Sequence, residues 1–395
     1  MRDSRPPVFD VRERTNTAPA THEESSFPFL NRVAGEFWEH PRRLIQDWCD
    51  RLADDEDYAD VRGRLRSGDA HEYSSVMLEL YIHELLRRTG HQITVHPKLA
   101  HTSRRPDFYA EKNGTGFYVE AVVPGASKQT LSGRARENRF LDVINRLEDL
   151  NFTLSLNSLA VGASNPPASK LRGALHAWLR SLDPDAVTDW ATAPAFRWEN
   201  GDWAAEFSAL PRKAKPRGQA RSHHRAIGVY AHQPAQWVDD AVIIERALKS
   251  KHGEYGALDK PFVIAVGLYV HDPDLWHSTN AFYGHERIQW NDGEEASGFR
   301  GLDGYFGAPP AWRHTNVSAV LLVNQLQPYH LHHTQATLWR HPGAALPAPP
   351  LDGPIDTMTM TDNRLDATAA TTPALEFFGL PTPWPPGVPW PKTRE

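Results

Sequence analysis

Acidic side chains on two neighbouring apolar segments are the part of this sequence best suited to chemistry. Asp107 lies at the start of one short apolar segment, and Glu120 lies within the next, at 117–123. A carboxylate among apolar neighbours is costly to bury unless it binds something. Glu79 lies beside the apolar stripe of a preceding helical segment and could lean over the same spot. Carboxylates that converge in this way suit a hard divalent cation, so the pattern predicts a site for Mg²⁺ or Mn²⁺.

The elements that must position these acids are predicted from periodicity and turn chemistry. Apolar residues at 78, 81, 82 and 85 have helical spacing, and Gly90 ends that helix. A short strand is expected at 92–97, followed by strands at about 106–111 and 116–123. The Asn113-Gly114 turn between the last two strands predicts a hairpin. The predicted order is helix, strand, and a hairpin with one acid on each strand.

This arrangement resembles the PD-(D/E)XK nuclease superfamily. Pro106-Asp107 matches its first acidic motif, Glu120-Ala121-Val122 matches the second, and Glu79 matches the glutamate often found on the first core helix. The resemblance implies an α/β fold with a restriction-endonuclease-like core, in which Glu79, Asp107 and Glu120 hold the metal. Val122 departs from the pattern, because the superfamily usually has a lysine there. In the alternative interpretation, Asp107 and Glu120 are ordinary hairpin acids.

Four stretches also resemble an uncharacterised family of bacterial proteins, over roughly residues 28–340. They lie at 79–86, 105–108, 198–203 and 251–256. That resemblance supports the architecture and brings no substrate with it.

Lys251 is the first candidate to replace the lysine absent at Val122. Phosphodiester hydrolysis at a metal site needs an activated water and positive charge near the developing oxyanion. Lys251 and Tyr255 are four residues apart, which places both on one helical face. They resemble the Gln-x-x-x-Tyr element of the exonuclease branch, with lysine at the glutamine position. Lys249 and Lys128 are alternatives, and Lys251 could simply end a helix, where a cation favours the dipole.

A basic loop is the candidate for contact with nucleic acid. No acid occurs between Glu206 and Asp239, and this stretch carries cations that could neutralise phosphates, namely Arg212, Lys213, Lys215, Arg217, Arg221 and Arg225. A solvated loop without a ligand is an equal alternative. The net charge of −6 argues against a protein that coats nucleic acid over its whole surface.

Composition sets the remaining limits. The 395 residues can bury a large core in more than one structural unit, and 40% hydrophobic with 23% charged residues is typical of a soluble globular protein. No apolar run approaches the roughly 18 residues that cross a membrane, so no membrane association is expected. The N-terminal residues do not have the pattern of a signal peptide. The single cysteine, Cys49, excludes an internal disulfide and favours the reducing cytoplasm.

The chain is divided by composition and periodicity into six regions. They are a disordered tail at 1–25, a helical N-terminal region at 26–72 in which Pro41 starts the second helix, the first part of the nuclease-like core at 73–124, an inserted α/β subdomain at 125–230, the second part of the core with a loop-rich insertion at 231–340, and a proline-rich C-terminal tail at 341–395. The second part is expected to hold the second core helix at 239–251 and buried strands at 261–266 and 317–323. In the C-terminal tail, proline argues against continuous helix or a central strand.

These observations together predict a magnesium-dependent nuclease, an endonuclease or an exonuclease, in a defence or repair context. DNA is favoured over RNA as the substrate. Asp107, Glu120 and Lys251 are the predicted catalytic residues, with Tyr255 and His83 beside them. One alternative is a nuclease fold with weakened chemistry that binds nucleic acid or a partner. Another is an interaction subunit of a multi-protein defence system, and a protein partner or a homodimer stays open in each case.

Overall fold

The computed structural model describes residues 5–125, 128–149, 151–187, 189–213, 217–218, 225–232, 240–270, 272–289, 297–308, 311–361 and 364–390. The chain divides into two units. Unit 1 comprises Met1–Thr15, Ser26–Gly125 and Asp239–Glu395, and unit 2 comprises Asn16–Ser25 and Ala126–Val238. Unit 2 corresponds closely to the insertion that the sequence places at 125–230.

Helices and strands alternate along both units, so the fold is mixed α/β. The α-helices of the described residues are α1 Ser26–Arg32, α2 Glu36–Asp50, α3 Asp55–Arg66, α4 Ala70–Arg88, α5 Lys128–Asn145, α6 Ala168–Arg180, α7 Asp240–Lys251, α8 Trp276–Tyr283 and α9 Ala374–Phe378. The strands are β1 Gln92–Val95, β2 Phe108–Lys112, β3 Thr115–Val122, β4 Phe152–Ala160, β5 Ala195–Asn200, β6 Trp203–Pro211, β7 Ile227–Tyr230, β8 Phe262–Leu268, β9 Glu286–Gln289, β10 Ser297–Arg300, β11 Gly307–Ala308, β12 Ala311–Trp312, β13 Ala319–Asn324, β14 Gln335–Arg340, β15 Ile355–Thr361 and β16 Arg364–Thr368. Within these ranges, none of the helices combines the length and apolar character that a membrane crossing requires.

Unit 1 is built on an eight-stranded mixed sheet with the order β1-β2-β3-β8-β13-β14-β15-β16. The first three strands form an antiparallel meander. β8 then runs parallel to both β3 and β13, which requires a long crossover connection. β14 is antiparallel to β13 and parallel to β15, and β16 closes the sheet as an antiparallel edge strand. The buried strands predicted at 261–266 and 317–323 are confirmed as β8 and β13.

Helices cover both faces of this sheet around β8, whose residues are all buried. Ile264 and Val266 belong to one apolar cluster with Ile244 and Leu248 of α7. On the other face, α4 comes so close that a Cβ added at Gly267 would lie 3.2 Å from Leu78. A strand buried on both faces must be apolar throughout, which explains the uninterrupted apolar sequence of β8.

The elements nearest the predicted site form as local sequence rules require. Asp69 caps α4, because its carboxylate accepts hydrogen bonds from the His71 and Glu72 amides at 2.7 and 3.0 Å. Between β2 and β3, Asn113 and Gly114 both have positive φ, 53° and 78°. These values are typical of the tight hairpin turn that matches the twist of the strands. The predicted helix and hairpin are confirmed.

Unit 2 has its own four-stranded sheet, in the order β5-β6-β4-β7. Its apolar core joins strand residues such as Leu154 and Phe207 to Phe140 of α5 and Leu175 of α6. β5 and β6 pair antiparallel across a hairpin turn at Asn200-Gly201. These strands form a sheet separate from that of unit 1.

The predicted disorder of residues 1–25 is wrong for the described residues 5–25. Val8 is fully buried, and the Arg5 guanidinium contacts the Asp55 carboxylate at 2.6 Å. Within unit 2, the amides of His22 and Glu23 donate to Asp142 at 2.8 and 2.9 Å. These partners are distant in sequence, so the polar composition of the segment gave no sign of them.

Two further predictions about proline are wrong. Pro41 lies inside α2 instead of starting a helix, where the burial of its neighbours Phe37 and Leu44 offsets the lost hydrogen bond. The C-terminal region contributes β15 and β16 to the large sheet, and β15 is not an edge strand. Its prolines lie outside the strands, so proline density did not prevent pairing there.

Candidate active site

The hairpin register brings the two predicted catalytic acids together. Phe108 pairs with Val119, so Asp107, one residue before β2, lies next to Glu120 across the hairpin. Glu120 in turn pairs with Ile264 of β8 and therefore shares its face of the sheet, the one covered by α7. α7 ends at Lys251, so the crossover brings Lys251 back to the face of the sheet that carries Glu120.

Glu120 is held by Lys251, the last residue of α7, and by Tyr255 in the turn that follows the helix. Lys251 Nζ lies 2.6 Å from Glu120 Oε1, and the Tyr255 hydroxyl donates a hydrogen bond to Glu120 Oε2. Lys251 also contacts the Glu254 carboxylate at 3.1 Å. We call Glu120, Lys251, Glu254 and Tyr255 the Glu120 cluster. The predicted placement of Lys251 beside Glu120 is confirmed, while its catalytic role stays a prediction.

Burial and charge act against each other within the Glu120 cluster. Burial raises the pKa of Glu120, and the hydrogen bonds from Lys251 and Tyr255 only partly offset this. Burial alone would lower the pKa of Lys251, but its hydrogen bond and charge contact with Glu120 outweigh burial and raise it. Lys251 therefore stays an ammonium at neutral pH, as a residue that stabilises negative charge must.

Asp107 is the most perturbed carboxyl group of the site. Burial raises its pKa well above the usual range, and the neighbouring charges of Glu120 and Glu79 raise it further. Asp107 Oδ2 accepts a hydrogen bond from the Ala121 amide at 2.7 Å, which opposes the shift without cancelling it. Two neighbouring carboxyl groups that repel each other when both are ionised are common at catalytic and metal sites.

Glu79 does not join Asp107 and Glu120 in one group, contrary to the expectation of three converging carboxylates. Its two oxygens accept bidentate hydrogen bonds from Arg64 of α3, at 2.7 and 2.8 Å. Arg64 also contacts Glu72 at 2.9 Å. Across the described ranges, no group of three or more His, Cys, Asp or Glu side chains is arranged to hold a metal ion. The guanidinium fork, which fits a carboxylate closely, explains the position of Glu79.

A cleft of about 460 Å³ opens beside Asp107, and none of the residues of the Glu120 cluster lines it. We call it the acidic cleft, because six carboxylates line it together with one arginine, Arg105. The carboxylates belong to Asp54, Glu56, Asp57, Asp60, Glu79 and Asp107. His83, which the sequence placed near the site, also lines this cleft and is only 7% exposed. Asp107 is thus the one predicted residue that borders both the cleft and Glu120.

The predicted basic loop is only partly described, since Lys215 and Arg221 lie outside the described residues. Arg212 is buried within unit 2. Arg217 donates to the Arg212 carbonyl at 2.7 Å and forms an ion pair with Asp185. Lys213 and Arg225 are exposed. The loop is therefore not a uniform cationic surface, and its contact with nucleic acid stays a prediction.

The other candidates for the missing lysine are less well placed. Lys249 points to Glu245 one turn earlier on α7, at 2.8 Å. Lys128 begins α5 in unit 2, so it belongs to the other unit. Val122 is partly buried and packs on the apolar cluster beneath α7. A lysine at this position would have to leave that cluster to reach Glu120.

Sequence reasoning missed Arg64 and the acids of α3. Asp57 and Asp60 belong to a short charged helix whose pattern is typical of a solvated surface. A signal was available, since five acids lie within Asp54–Asp60. Only the packing of α3 against α4 brings these acids to the side of Asp107.

Comparisons of the chain with protein-family models, with curated proteins and with solved structures found no match.

Proposed function

We propose that this protein hydrolyses phosphodiester bonds in DNA with the help of a divalent metal ion. The observation that carries the proposal is the convergence of Asp107, Glu120 and Lys251, with the Lys251 ammonium 2.6 Å from the Glu120 carboxylate. Two crowded carboxylates beside a permanent cation suit a reaction in which negative charge develops on phosphate oxygens.

The order of elements supports the proposal. Along unit 1, α4 is followed by the meander β1-β2-β3, then by α7 and by β8, which lies parallel to β3. A PD-(D/E)XK core has this order, with the acids on the hairpin and further polar residues on the second helix. Lys251 on α7 then occupies the region that the missing lysine at Val122 would serve.

The donor set fits a hard divalent cation. Mg²⁺ is usually held by one or two carboxylates and keeps several waters, and Asp107 with Glu120 offers such a pair. The raised pKa of Asp107 reflects burial and like-charge crowding, which a bound cation would relieve. Glu79 is held by Arg64 and would act from a distance. When bound, the metal would supply a Lewis acid and a bound water of lowered pKa.

The chain's own residues then perform two tasks. Lys251 holds a positive charge at the site, because its contact with Glu120 keeps its pKa raised. Tyr255 fixes the Glu120 carboxylate by donating to Oε2, so that Oε1 stays directed at Lys251. Tyr255 is buried, and its hydroxyl also lies 3.3 Å from the Arg105 carbonyl, which ties the hairpin to the end of α7.

A cleavage assay tests the proposal. Linear and circular DNA, single and double stranded, and RNA are incubated with the full chain and Mg²⁺ or Mn²⁺. We expect cleavage of DNA that stops with EDTA and falls about 100-fold in Lys251→Ala, the loss typical of one oxyanion donor. Lys249→Ala is the matched control, because Lys249 lies on the same helix and pairs with Glu245 at 2.8 Å instead. No cleavage of any substrate would contradict the proposal.

A binding module is the second candidate. Both oxygens of Glu120 already have partners, Lys251 and Tyr255, so the described site is satisfied without a metal. If the chain binds DNA at low salt but never cleaves it, with unchanged affinity in Asp107→Asn, this second function replaces the first.

A further inference from the structure

We propose that the acidic cleft binds a small organic polycation with primary amines, a polyamine. The proposal goes beyond the nuclease function and does not rest on it. Asp107 borders the cleft as well as the proposed catalytic site, whereas Glu120 and Lys251 do not line it.

The charge of the cleft favours a cationic ligand. Arg64 neutralises two of its acids, since it contacts Glu79 at 2.7 Å and Asp60 at 3.5 Å. Asp57 is half-buried and, within the described part of the chain, has neither an ion pair nor a hydrogen bond of its carboxylate. Burial raises its pKa, and the nearby charge of His96 opposes this only in part. A carboxylate in such a position gains most from a ligand that brings its own positive charge.

His83 is the second, independent sign of a ligand. Its ring lines the cleft, is 7% exposed and contacts Phe108 with the ring centroids 6.2 Å apart. Among the described residues, no side chain or backbone group forms a hydrogen bond with this ring. Burial lowers the pKa of His83, so the ring is neutral at pH 7 and one nitrogen can accept a hydrogen bond. The His83 nitrogens are not among the fully buried polar atoms that lack a partner, so the ring is open to a ligand in the cleft.

The shape of the cleft favours an organic cation over a bare metal ion. Its volume of about 460 Å³ is in the range of small-molecule sites. Within the described residues, no group of three or more possible metal ligands is found. The apolar side chains of Leu80, Val95 and Phe108 line the cleft together with the carboxylates. Methylene groups can pack on these side chains while the amines at each end reach the carboxylates.

Isothermal titration calorimetry with spermidine tests the proposal on the full chain, in EDTA at low salt. We expect saturable binding of one spermidine, and no binding of 1,5-pentanediol, which has a similar methylene chain without charge. Asp57→Asn and His83→Leu should each weaken binding about 10-fold, the effect of losing one hydrogen bond to a charged group. Asp366→Asn is the matched control, because Asp366 lies on the edge strand β16 at the opposite end of the sheet from β1.

Three outcomes would overturn the proposal. They are the absence of saturable binding, equal affinity in wild type and Asp57→Asn, and an equal loss in Asp57→Asn and Asp366→Asn, which would indicate general surface charge.

Glu120→Gln separates this proposal from the nuclease function. That variant should lose cleavage but keep spermidine affinity, because Glu120 does not line the cleft. If His83→Leu fails to fold by circular dichroism, Asp57→Asn alone decides the outcome.

Discussion

The Lys251–Glu120 pair joins a nearly buried carboxylate to a partly exposed ammonium, since their side chains are 4% and 25% exposed. Removing one partner of a buried pair leaves an uncompensated charge, which costs more than the pair itself contributes. The sequence predicted Lys251 at the site, but its reason, a helical face shared with Tyr255, was wrong, because α7 ends at Lys251 and Tyr255 lies in the turn that follows. The sequence could not predict that Arg64 binds Glu79, because that contact depends on how α3 packs on α4.

Lys251→Ala should lower the free energy of unfolding by about 2 kcal/mol, the usual value for a hydrogen bond to a charged group. The double variant Lys251→Ala/Glu120→Gln should recover most of this loss, because it removes the stranded charge, and should recover no activity. Urea unfolding at pH 7 measures the stability of both variants. Equal instability of the single and double variants would show that the pair does not couple as the geometry indicates.

Asp107→Asn should raise the stability of the metal-free protein at pH 7. The folded-state pKa of Asp107 lies above its unfolded value of about 3.9, so the wild type loses stability as pH rises through that interval. Asparagine carries no charge, and its Oδ1 can still accept from the Ala121 amide. The stability difference should therefore shrink as pH falls toward 4, in urea unfolding with EDTA. A difference that grows at low pH would contradict the raised pKa.

At the scale of elements, the sequence predicted what depends on local rules. The α4 helix follows from the helical spacing of apolar residues at 78, 81, 82 and 85, and the hairpin follows from Asn113-Gly114. The sheet position of β15 could not be predicted in this way, because it depends on the parallel pairing of β15 with β14, which lies in a separate segment of the chain. The same holds for the acidic cleft, which is formed by segments that are separate in sequence.

The hairpin turn offers a prediction at this scale, because it sets the register between Asp107 and Glu120. Gly114 has φ 78°, so Gly114→Ala should lower the free energy of unfolding by about 1 kcal/mol. Gly63, inside α3 with no atom within 4 Å of an added Cβ, is the control. Gly63→Ala should raise the free energy of unfolding by about 0.5–1 kcal/mol, since glycine weakens a helix. Thermal unfolding of both variants checks the pair, and a stable Gly114→Ala would exclude strain at the turn.

At the scale of the whole molecule, the candidate site is assembled across a large interruption of the chain. Glu120 lies before the Ala126–Val238 segment of unit 2, and Lys251 lies after it. The sequence indicated this insertion, at 125–230, by composition and periodicity. It did not indicate that Asn16–Ser25 belongs to the same unit, because the hydrogen bond from His22 to Asp142 spans 120 positions.

Magnesium should stabilise the whole protein if the site binds it. A ligand that binds only the folded state stabilises by mass action, by about 2.7 kcal/mol at a hundred times its Kd. We expect Mg²⁺ to raise the Tm of the wild type and of the surface control Asp366→Asn. Asp107→Asn should show little or no rise, because one of the two carboxylates is gone. An equal rise in all three proteins would place the metal elsewhere.

The central claim is that Asp107 and Glu120 support metal-dependent hydrolysis of a phosphodiester. The most direct test is the single-turnover rate of DNA cleavage by wild type and Asp107→Asn across a Mg²⁺ titration. Asparagine preserves the shape of the side chain and removes its charge, so folding and cleavage can be separated. We predict cleavage by the wild type that rises with Mg²⁺ and saturates, and a loss of at least about 100-fold in Asp107→Asn. Equal rates in the two proteins, or cleavage that persists in EDTA, would contradict the account.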